Sequence, residues 1–279
     1  MMQYTRKHAI PSSKAQVSPL QSRRRRGYID RGSNQGAGMK STTLTIAGAL
    51  ALMAASAQAG EFSSTVTAAS EYDFRGVSLS AKDPALQASL DWAHDSGFYL
   101  GAWATNIDYG SDIDGNIELD LYAGWSGEIK DGLGWDAGIV WYTYPDSSSS
   151  ALVSKIYDYP EIYAGLSWGP LEFKQWFTND YGGSDMDASY SELNASFELP
   201  SGFSLNLHGG YNYGEYFHQT WENYFDFSAG LGYSAGHFDL ELKVTGTDLD
   251  GESKITDDVS NTEARVLFTV STTFPWSTE

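Results

Sequence analysis

Residues 117–125 read Ile117-Glu118-Leu119-Asp120-Leu121-Tyr122-Ala123-Gly124-Trp125, and after a polar break around Glu128 to Gly132 the chain resumes as Leu133-Gly134-Trp135-Asp136-Ala137-Gly138-Ile139-Val140-Trp141. On the first arm Ile117, Leu119, Leu121, Ala123 and Trp125 share one face, and Glu118, Asp120, Tyr122 and Gly124 share the other. On the second, Leu133, Trp135, Ala137, Ile139 and Trp141 alternate with Gly134, Asp136, Gly138 and Val140. A period of two is the signature of a strand, and two such arms around a tight break form a hairpin. About nine residues per arm is also the length a tilted strand needs to cross a bilayer.

Beyond Gly60 the alternation recurs. Strands are expected at about 63–74, 85–94, 98–108, 117–127, 133–144, 159–168, 171–180, 189–199, 203–213, 223–234, 238–248 and 263–274. The breaks fall into two alternating classes. Asp95-Ser96-Gly97, Glu128 to Gly132, Gly169-Pro170, Pro200-Ser201-Gly202 and Ala235-Gly236-His237 are short, whereas 75–84, 109–116, 145–158, 181–188, 214–222 and 249–262 are longer and more polar. Short turns at one end and long loops at the other are the outer-membrane pattern, with short turns periplasmic and long loops extracellular. The expected fold is therefore all-β: a transmembrane, antiparallel, up-and-down β-barrel of about twelve strands over residues 60–279.

The aromatics carry the membrane expectation. Trp92 and Phe98, Trp125 and Trp135, Trp168 and Phe173, Phe197 and Phe203, and Tyr233 and Phe238 flank the short turns with outward parity, and Phe274 closes the last strand in the same register. Amphipathic rings settle at headgroup depth, so one coherent ring at one level is an interfacial girdle. Tyr72, Phe74, Tyr109, Tyr157, Phe177, Tyr211, Tyr213 and Phe225, at the opposite strand ends, are candidates for a second girdle. A soluble sandwich or a lipocalin-like barrel, with its apolar face inward, satisfies the same parity.

The other face holds Glu71, Asp73, Arg75, Asp91, Glu118, Asp120, Asp136, Glu161, Glu172, Lys174, Glu192, Glu198, His208, Asp226, Asp239, Glu241, Lys243 and Arg265. Enclosed in a lumen, these side chains meet water and each other. Thirteen acids stand against four Lys or Arg there, so an open lumen would favour cations. A salt-bridged plug is the alternative for a barrel of this size, between the small filled barrels and the wide porins.

Composition agrees. Cysteine is absent, which suits an oxidising, extracytoplasmic location. The mean hydropathy is negative, and no apolar run after Gly60 is long enough for a membrane helix, whereas a barrel sends only alternate residues to lipid. Residues 1–59 hold nine Lys or Arg and one acid; residues 60–279 hold eight and 35, a net charge of −27. So acidic a chain is not a nucleic-acid binder.

Met39-Lys40 opens a compact signal peptide, with the apolar run Leu44 to Ala55 and the small-x-small site Ala57-Gln58-Ala59 placing cleavage between Ala59 and Gly60. Residues 1–38, including Arg23-Arg24-Arg25-Arg26, are polar, rich in Ser and Gly, and expected to be a disordered extension from an upstream start codon.

Several motifs carry a resemblance. Glu71-Tyr72-Asp73-Phe74-Arg75-Gly76-Val77-Ser78 is followed by Asp83-Pro84-Ala85-Leu86-Gln87, by Gly97-Phe98-Tyr99-Leu100-Gly101 with Trp103, and by Glu118-Leu119-Asp120-Leu121-Tyr122-Ala123-Gly124. Tyr142-Thr143-Tyr144-Pro145, Glu161-Ile162-Tyr163-Ala164-Gly165, Asn194-Ala195-Ser196 with Pro200, and Ala264-Arg265-Val266-Leu267-Phe268-Thr269-Val270-Ser271 extend the series. Over 62–274 the chain resembles the TorF-type porin family. That resemblance implies a small outer-membrane barrel of a Gram-negative bacterium, in contact with membrane lipids and lipopolysaccharide and passing small hydrophilic solutes. Such barrels end on an aromatic read by the barrel-assembly machinery; here Phe274 and Trp276 are both candidates, because Pro275-Trp276-Ser277-Thr278-Glu279 follows Phe274.

Catalysis is not expected. A lipid-modifying barrel enzyme would need a nucleophile within reach of a His base, and His94, His208, His218 and His237 show no His-x-Ser pairing on a strand face. Asp112-Ile113-Asp114-Gly115-Asn116 and Asp248-Leu249-Asp250-Gly251-Glu252 fall short of a full Ca²⁺ loop, and turn-forming Asp and Gly explain them equally well. No cofactor or metal is expected. An adhesin-like or purely structural role, carried by the long loops, is the remaining alternative to a pore. Mass spectrometry of the chain recovered from membranes is expected to find Gly60 as its first residue; retention of Ala59 or anything before it would overturn the cleavage assignment.

Overall fold

A computed structural model describes residues 60–110, 115–145, 158–249 and 258–276. Its strands are β1 (Gly60–Ala69), β2 (Asp73–Phe74), β3 (Val77–Ser78), β4 (Ala85–His94), β5 (Phe98–Asn106), β6 (Ile117–Lys130), β7 (Leu133–Thr143) and β8 (Tyr159–Trp168). They continue with β9 (Leu171–Thr178), β10 (Ala188–Glu198), β11 (Phe203–Tyr213), β12 (Tyr224–Ala235), β13 (Phe238–Thr247) and β14 (Arg265–Phe274). One short helix, α1 (Glu215–Thr220), lies between β11 and β12.

β1 and β4 to β14 close into a twelve-strand barrel in which every neighbour pairs antiparallel. The seam is β1 against β14, from Ser64 opposite Phe274 to Ala69 opposite Thr269. The hairpin of residues 117–141 forms as expected, with Leu121 opposite Trp141 and Trp125 opposite Ala137. Its turn is Asp131-Gly132, both at positive φ (53° and 80°), the conformation a two-residue hairpin loop demands. A register shift between Glu128 and Lys130 lengthens β6 to Lys130, three residues beyond the expected end at 127.

Parity divides the wall into two environments. Leu121 is 50% exposed on the outside of β6, while Asp120 beside it is fully buried. The same alternation exposes Ile139 and Trp141 on β7, Ile162, Leu166 and Trp168 on β8, and Leu231 and Tyr233 on β12. The apolar face points outward, opposite to a lipocalin-like barrel or a sandwich.

One expected strand is wrong in its extent. The first wall strand runs 60–69, not 63–74, and 75–84 is not an external loop. From Ser70 to Pro84 the chain turns back into the barrel, carrying the small hairpin β2–β3. Its alternation looked like a wall strand because the segment is itself extended, but both of its faces find partners inside. The 214–222 loop likewise carries α1, whose Tyr216 and Phe217 are buried. The signal peptide with Ala59, the arginines at 23–26, Asp112 to Asp114, Tyr157, Asp250 to Glu252 and Ser277 to Glu279 lie outside the described residues; Gly60 opens β1.

A charge at mid-wall tests the outward face. Ile139→Arg is expected to cost about 2–4 kcal/mol in folding titrations into lipid vesicles, and the rim variant Leu171→Arg about 0–1 kcal/mol. Equal costs at both positions would contradict a hydrocarbon environment at the middle of the wall.

Candidate functional site

The lumen is organised by the tip of the inserted segment, Phe74-Arg75-Gly76-Val77. Arg75 and Gly76 both adopt positive φ (47° and 83°), giving a two-residue turn of the hairpin type. Glycine is required at 76 on two counts: the left-handed backbone, and a Cβ there would come within 2.5 Å of Thr247 Cγ2 and 2.8 Å of Asp226 Cβ. The turn presses against β12 and β13 and points Arg75 across the lumen.

Arg75 reaches Glu161 of β8 in a bidentate pair, Nη2 to Oε2 at 2.7 Å and Nη1 to Oε1 at 3.2 Å, with both side chains 1% exposed. Tyr142 donates a further bond to Glu161 at 3.0 Å, and the Tyr224 hydroxyl donates to the Arg75 carbonyl at 3.2 Å. The guanidinium also lies 4.2 Å from the Tyr190 ring centre and 4.7 Å from that of Phe74. A second clamp holds the base of the segment from the wall: Arg265 of β14 donates to Glu71 at 2.8 Å, to Asp73, and to the Gly76 carbonyl at 2.9 Å. Lys243 of β13 adds an ion pair with Asp73 at 3.5 Å. Near the long-loop mouth Lys82 pairs with Asp258 and Glu263, and the hydrogen bond it donates to Asp258 holds its ammonium above the ordinary lysine range.

Aromatic side chains fill the long-loop half of the lumen. Tyr142 stacks on Tyr159 at 4.8 Å, Tyr163 packs on Trp176 at 4.5 Å, and Tyr181 packs on Tyr159, Tyr216 and Phe217. Phe74, Val77 and Leu79 of the inserted segment are at most 1% exposed among them. Inward glycines make room for these rings: a Cβ on Gly124 would sit 2.5 Å from the Tyr99 hydroxyl, and one on Gly101 2.6 Å from the Tyr122 ring.

The short-turn half holds a cavity of about 610 Å³ that runs from Gly169 and Pro170, in the β8–β9 turn, to Asp73 and Arg75. Glu172, Glu192, Asp226, Glu241, Lys243 and His208 line it. Glu192 accepts from Trp176 Nε1 at 2.7 Å and Asn194 at 3.2 Å, and Glu241 from Asn206 at 2.8 Å. Asp226 accepts from Tyr190 at 3.1 Å and Asn212 at 3.2 Å, and lies 2.8 Å from His208 Nε2.

The remaining charges predicted for the lumen sit around these two halves. Glu118 and Asp120 are buried on β6, with the Tyr72 hydroxyl donating to Glu118 at 3.1 Å. Lys174, 3% exposed, lies 3.3 Å from Asp136 and 3.7 Å from Glu172, while Asp136 also accepts from Tyr99. Asp91 accepts from Tyr122 and from Ser89 at 2.7 Å. Asp239, bonded by Ser234 at 2.6 Å, and Glu198 are exposed at the short-turn rim. Glu71, Asp73 and Arg75 belong to the inserted segment rather than to the wall, which their strand-like spacing concealed.

On the outside, Phe98 packs on Trp125 at 4.6 Å and on Trp92 at 6.2 Å, and Phe203 packs on Tyr233 at 4.8 Å. Trp135, Trp168, Phe173, Phe197, Phe238 and Phe274 are exposed at the same short-turn end. At the long-loop end, Phe177 and Phe225 are exposed, and Tyr211 stacks on Phe225 and on Tyr213. Tyr72, Phe74 and Tyr109 do not join a second outer girdle. They are buried inside, because the segment and the loop carrying them turn inward. The inward rings Tyr142, Tyr159, Tyr163, Trp176, Tyr190 and Tyr224 escaped the sequence reading, although their parity matches that of the charged face.

Fold and lumen together define a closed up-and-down β-barrel with an apolar exterior and a charged, aromatic-packed interior. The chain belongs to the Gcw_chp family of bacterial proteins of unknown function, whose model matches residues 53–274. No curated protein matches it. Among solved structures, the NanC porin is similar at 10% identity and a TM-score of 0.48, over 75% of this chain and 97% of that one. The KdgM porin, in complex with disordered oligogalacturonate, gives 8% and 0.46 over 78% and 99%. An outer membrane channel from Pseudomonas putida F1 gives 10% and 0.43 over 77% and 95%. Similarity at this level leaves solute and gating to the chain's own residues.

The cross-lumen pair makes a stability prediction. Glu161→Ala strands the Arg75 guanidinium in the interior and is expected to cost about 3–5 kcal/mol in chemical unfolding, whereas Arg75→Leu combined with Glu161→Leu recovers most of that loss. A double variant as unstable as Glu161→Ala would show that packing of the tip, not its charge, is what Glu161 provides.

Proposed function

We propose that the protein is an outer-membrane channel of the TorF-type porin kind. It admits small hydrophilic solutes, cations ahead of anions, through a lumen that the 70–84 segment closes in this conformation. The observation that carries the reading is the reversal of ordinary burial. Leucine, isoleucine and phenylalanine are exposed all round the barrel, while Glu118, Asp120, Glu161, Glu192 and Asp226 are enclosed. A closed sheet exposes that much apolar surface without aggregating when hydrocarbon surrounds it. The aromatic ring at the short-turn end supports a membrane interface there, with lipids and lipopolysaccharide as neighbours.

The cavity supports cation preference: Asp73, Glu172, Glu192, Asp226 and Glu241 line it with Arg75, Lys243 and His208. Carboxylates in a partly enclosed space raise the local concentration of cations and repel anions. For the assembly machinery Phe274 is the better candidate. It ends β14 with its ring outward, whereas Trp276 lies beyond the strand, stacked on His237 at 4.8 Å and bonded to Thr272.

One observation favours a second reading. The burial of Phe74, Val77 and Leu79 describes a filled barrel, whose function would then lie in its loops. Planar-bilayer recording across a tenfold KCl gradient separates the two. Wild-type protein is expected to open rarely, with a cation-directed reversal potential, and Arg75→Ala with Glu161→Gln to open at least about tenfold more often, since about 1.4 kcal/mol in the closing equilibrium suffices for that. Silence from both proteins would leave the filled barrel, and an anion-directed potential would overturn the selectivity.

A further inference from the structure

His208 lies on β11 at the top of the cavity, its side chain 20% exposed, in contact with groups that reach the inserted segment. Nδ1 is 2.6 Å from Asn194 Oδ1, and Nε2 is 2.8 Å from Asp226 Oδ1. The orientation of the Asn194 amide is set independently, because its Nδ2 donates to the Glu192 carboxylate at 3.2 Å. Flipping it would place two acceptors against each other. Nδ1 thus faces an acceptor, and Nε2 faces the Asp226 carboxylate, with the Tyr190 hydroxyl 2.9 Å away directing its own proton to that same oxygen, so both nitrogens donate. A ring that donates from both nitrogens is an imidazolium.

The surroundings suit a cation. From β10 the ring faces Tyr190 and Glu192, the latter 3.8 Å from Nδ1, and from β12 it faces Asp226. Glu241 and Lys243 of β13, Glu172 of β9, and Asp73 and Arg75 of the inserted segment share the cavity, and Lys243 pairs with Asp73.

We infer that doubly protonated His208 is a pH-sensitive seat for the inserted segment, and that loss of its proton loosens residues 71–79 from the wall. Two contacts transmit the charge. Asp226, held by His208, is the surface against which Gly76 packs. Tyr190 donates to the same Asp226 oxygen and carries the Arg75 guanidinium over its ring. Without the imidazolium charge the neutral ring keeps one N–H, on Nε2 toward Asp226, so beneath the tip Asp226 holds three neutral donors, His208, Tyr190 and Asn212, in place of a cationic partner. Nδ1 then meets the Asn194 oxygen with no proton between them. The seated state binds the proton more tightly than the released state, so seating is strongest at low pH and is lost as pH rises through the titration of His208. The proton exchanges through the cavity, so the sensing side is the short-turn end. Only the naming of that side as periplasmic rests on the proposed membrane reading.

The test uses the full mature chain in lipid nanodiscs. ¹⁵N spectra of histidine-labelled protein at pH 7.5 are expected to show His208 as imidazolium; a neutral His208 overturns the inference. Hydrogen exchange then reads the segment directly through the amides of Ser78, bonded to the Asn261 carbonyl, and Leu79, bonded to that of Tyr72. Normalised to wall-strand amides, their exchange is expected to rise about tenfold or more between pH 6 and pH 9, one unit of differential proton affinity being a factor of ten. His208→Gln should exchange fast and without pH dependence. Asn194→Asp, which offers Nδ1 a carboxylate, should move the transition to higher pH. Wild-type protection independent of pH, or the same pH response in His208→Gln, overturns the inference. These readouts need no current, so a silent bilayer would count against the channel and not against this seat.

Discussion

A sheet whose outer face is apolar cannot leave an open edge beside that face without offering it to other chains, so its backbone hydrogen bonds close on themselves. The pairing of β1 with β14 meets that constraint and leaves no edge strand in the wall. Once the ring is closed, the two-residue period of every strand becomes an inside and an outside. Here Leu121 and Ile139 lie outside, and Asp120 and Asp136 lie inside. Closure separates the two faces, and the exposure of the apolar one is what makes the enclosed one charged.

Enclosing so many ionisable groups creates the second constraint. A carboxylate away from bulk water needs donors or a counter-charge, and the wall meets this with tyrosine hydroxyls, amides and a few cations. Arg265 and Lys243 together balance Glu71 and Asp73, Arg75 neutralises Glu161, and Lys174 lies between Asp136 and Glu172. Two of these arrangements run between the wall and the inserted segment, so the demand for charge balance is also what holds the segment in place. Removing the segment would uncover Glu161 and Arg265 together, and this couples the lumen's electrostatics to its occupancy.

The strands were legible because alternation is a local property. The expected ranges 85–94, 159–168 and 203–213 coincide with β4, β8 and β11, and the remaining wall strands beyond the first differ by a few residues at their ends. The failures share one cause. Glu71-Tyr72-Asp73-Phe74 alternates like a wall strand, and Tyr109 sits at a strand end like a girdle residue. Both lie inside because of partners far away in sequence: Arg265 for the first, and Tyr144 at 6.2 Å for the second. Parity reports that two sides differ, and it is silent on whether a particular extended stretch belongs to the wall.

Taken alone, the order of residues determined the strand period, the alternation of short and long connections, and the sorting of charge from grease, because each depends on neighbours within one hairpin. The tertiary structure alone decided that the 70–84 segment enters the barrel, that Arg75 meets Glu161 across 86 residues, and that His208 sits between Asn194 and Asp226. Those contacts join elements brought together only when the sheet closes, and a pairing made by closure leaves no periodic trace in the chain.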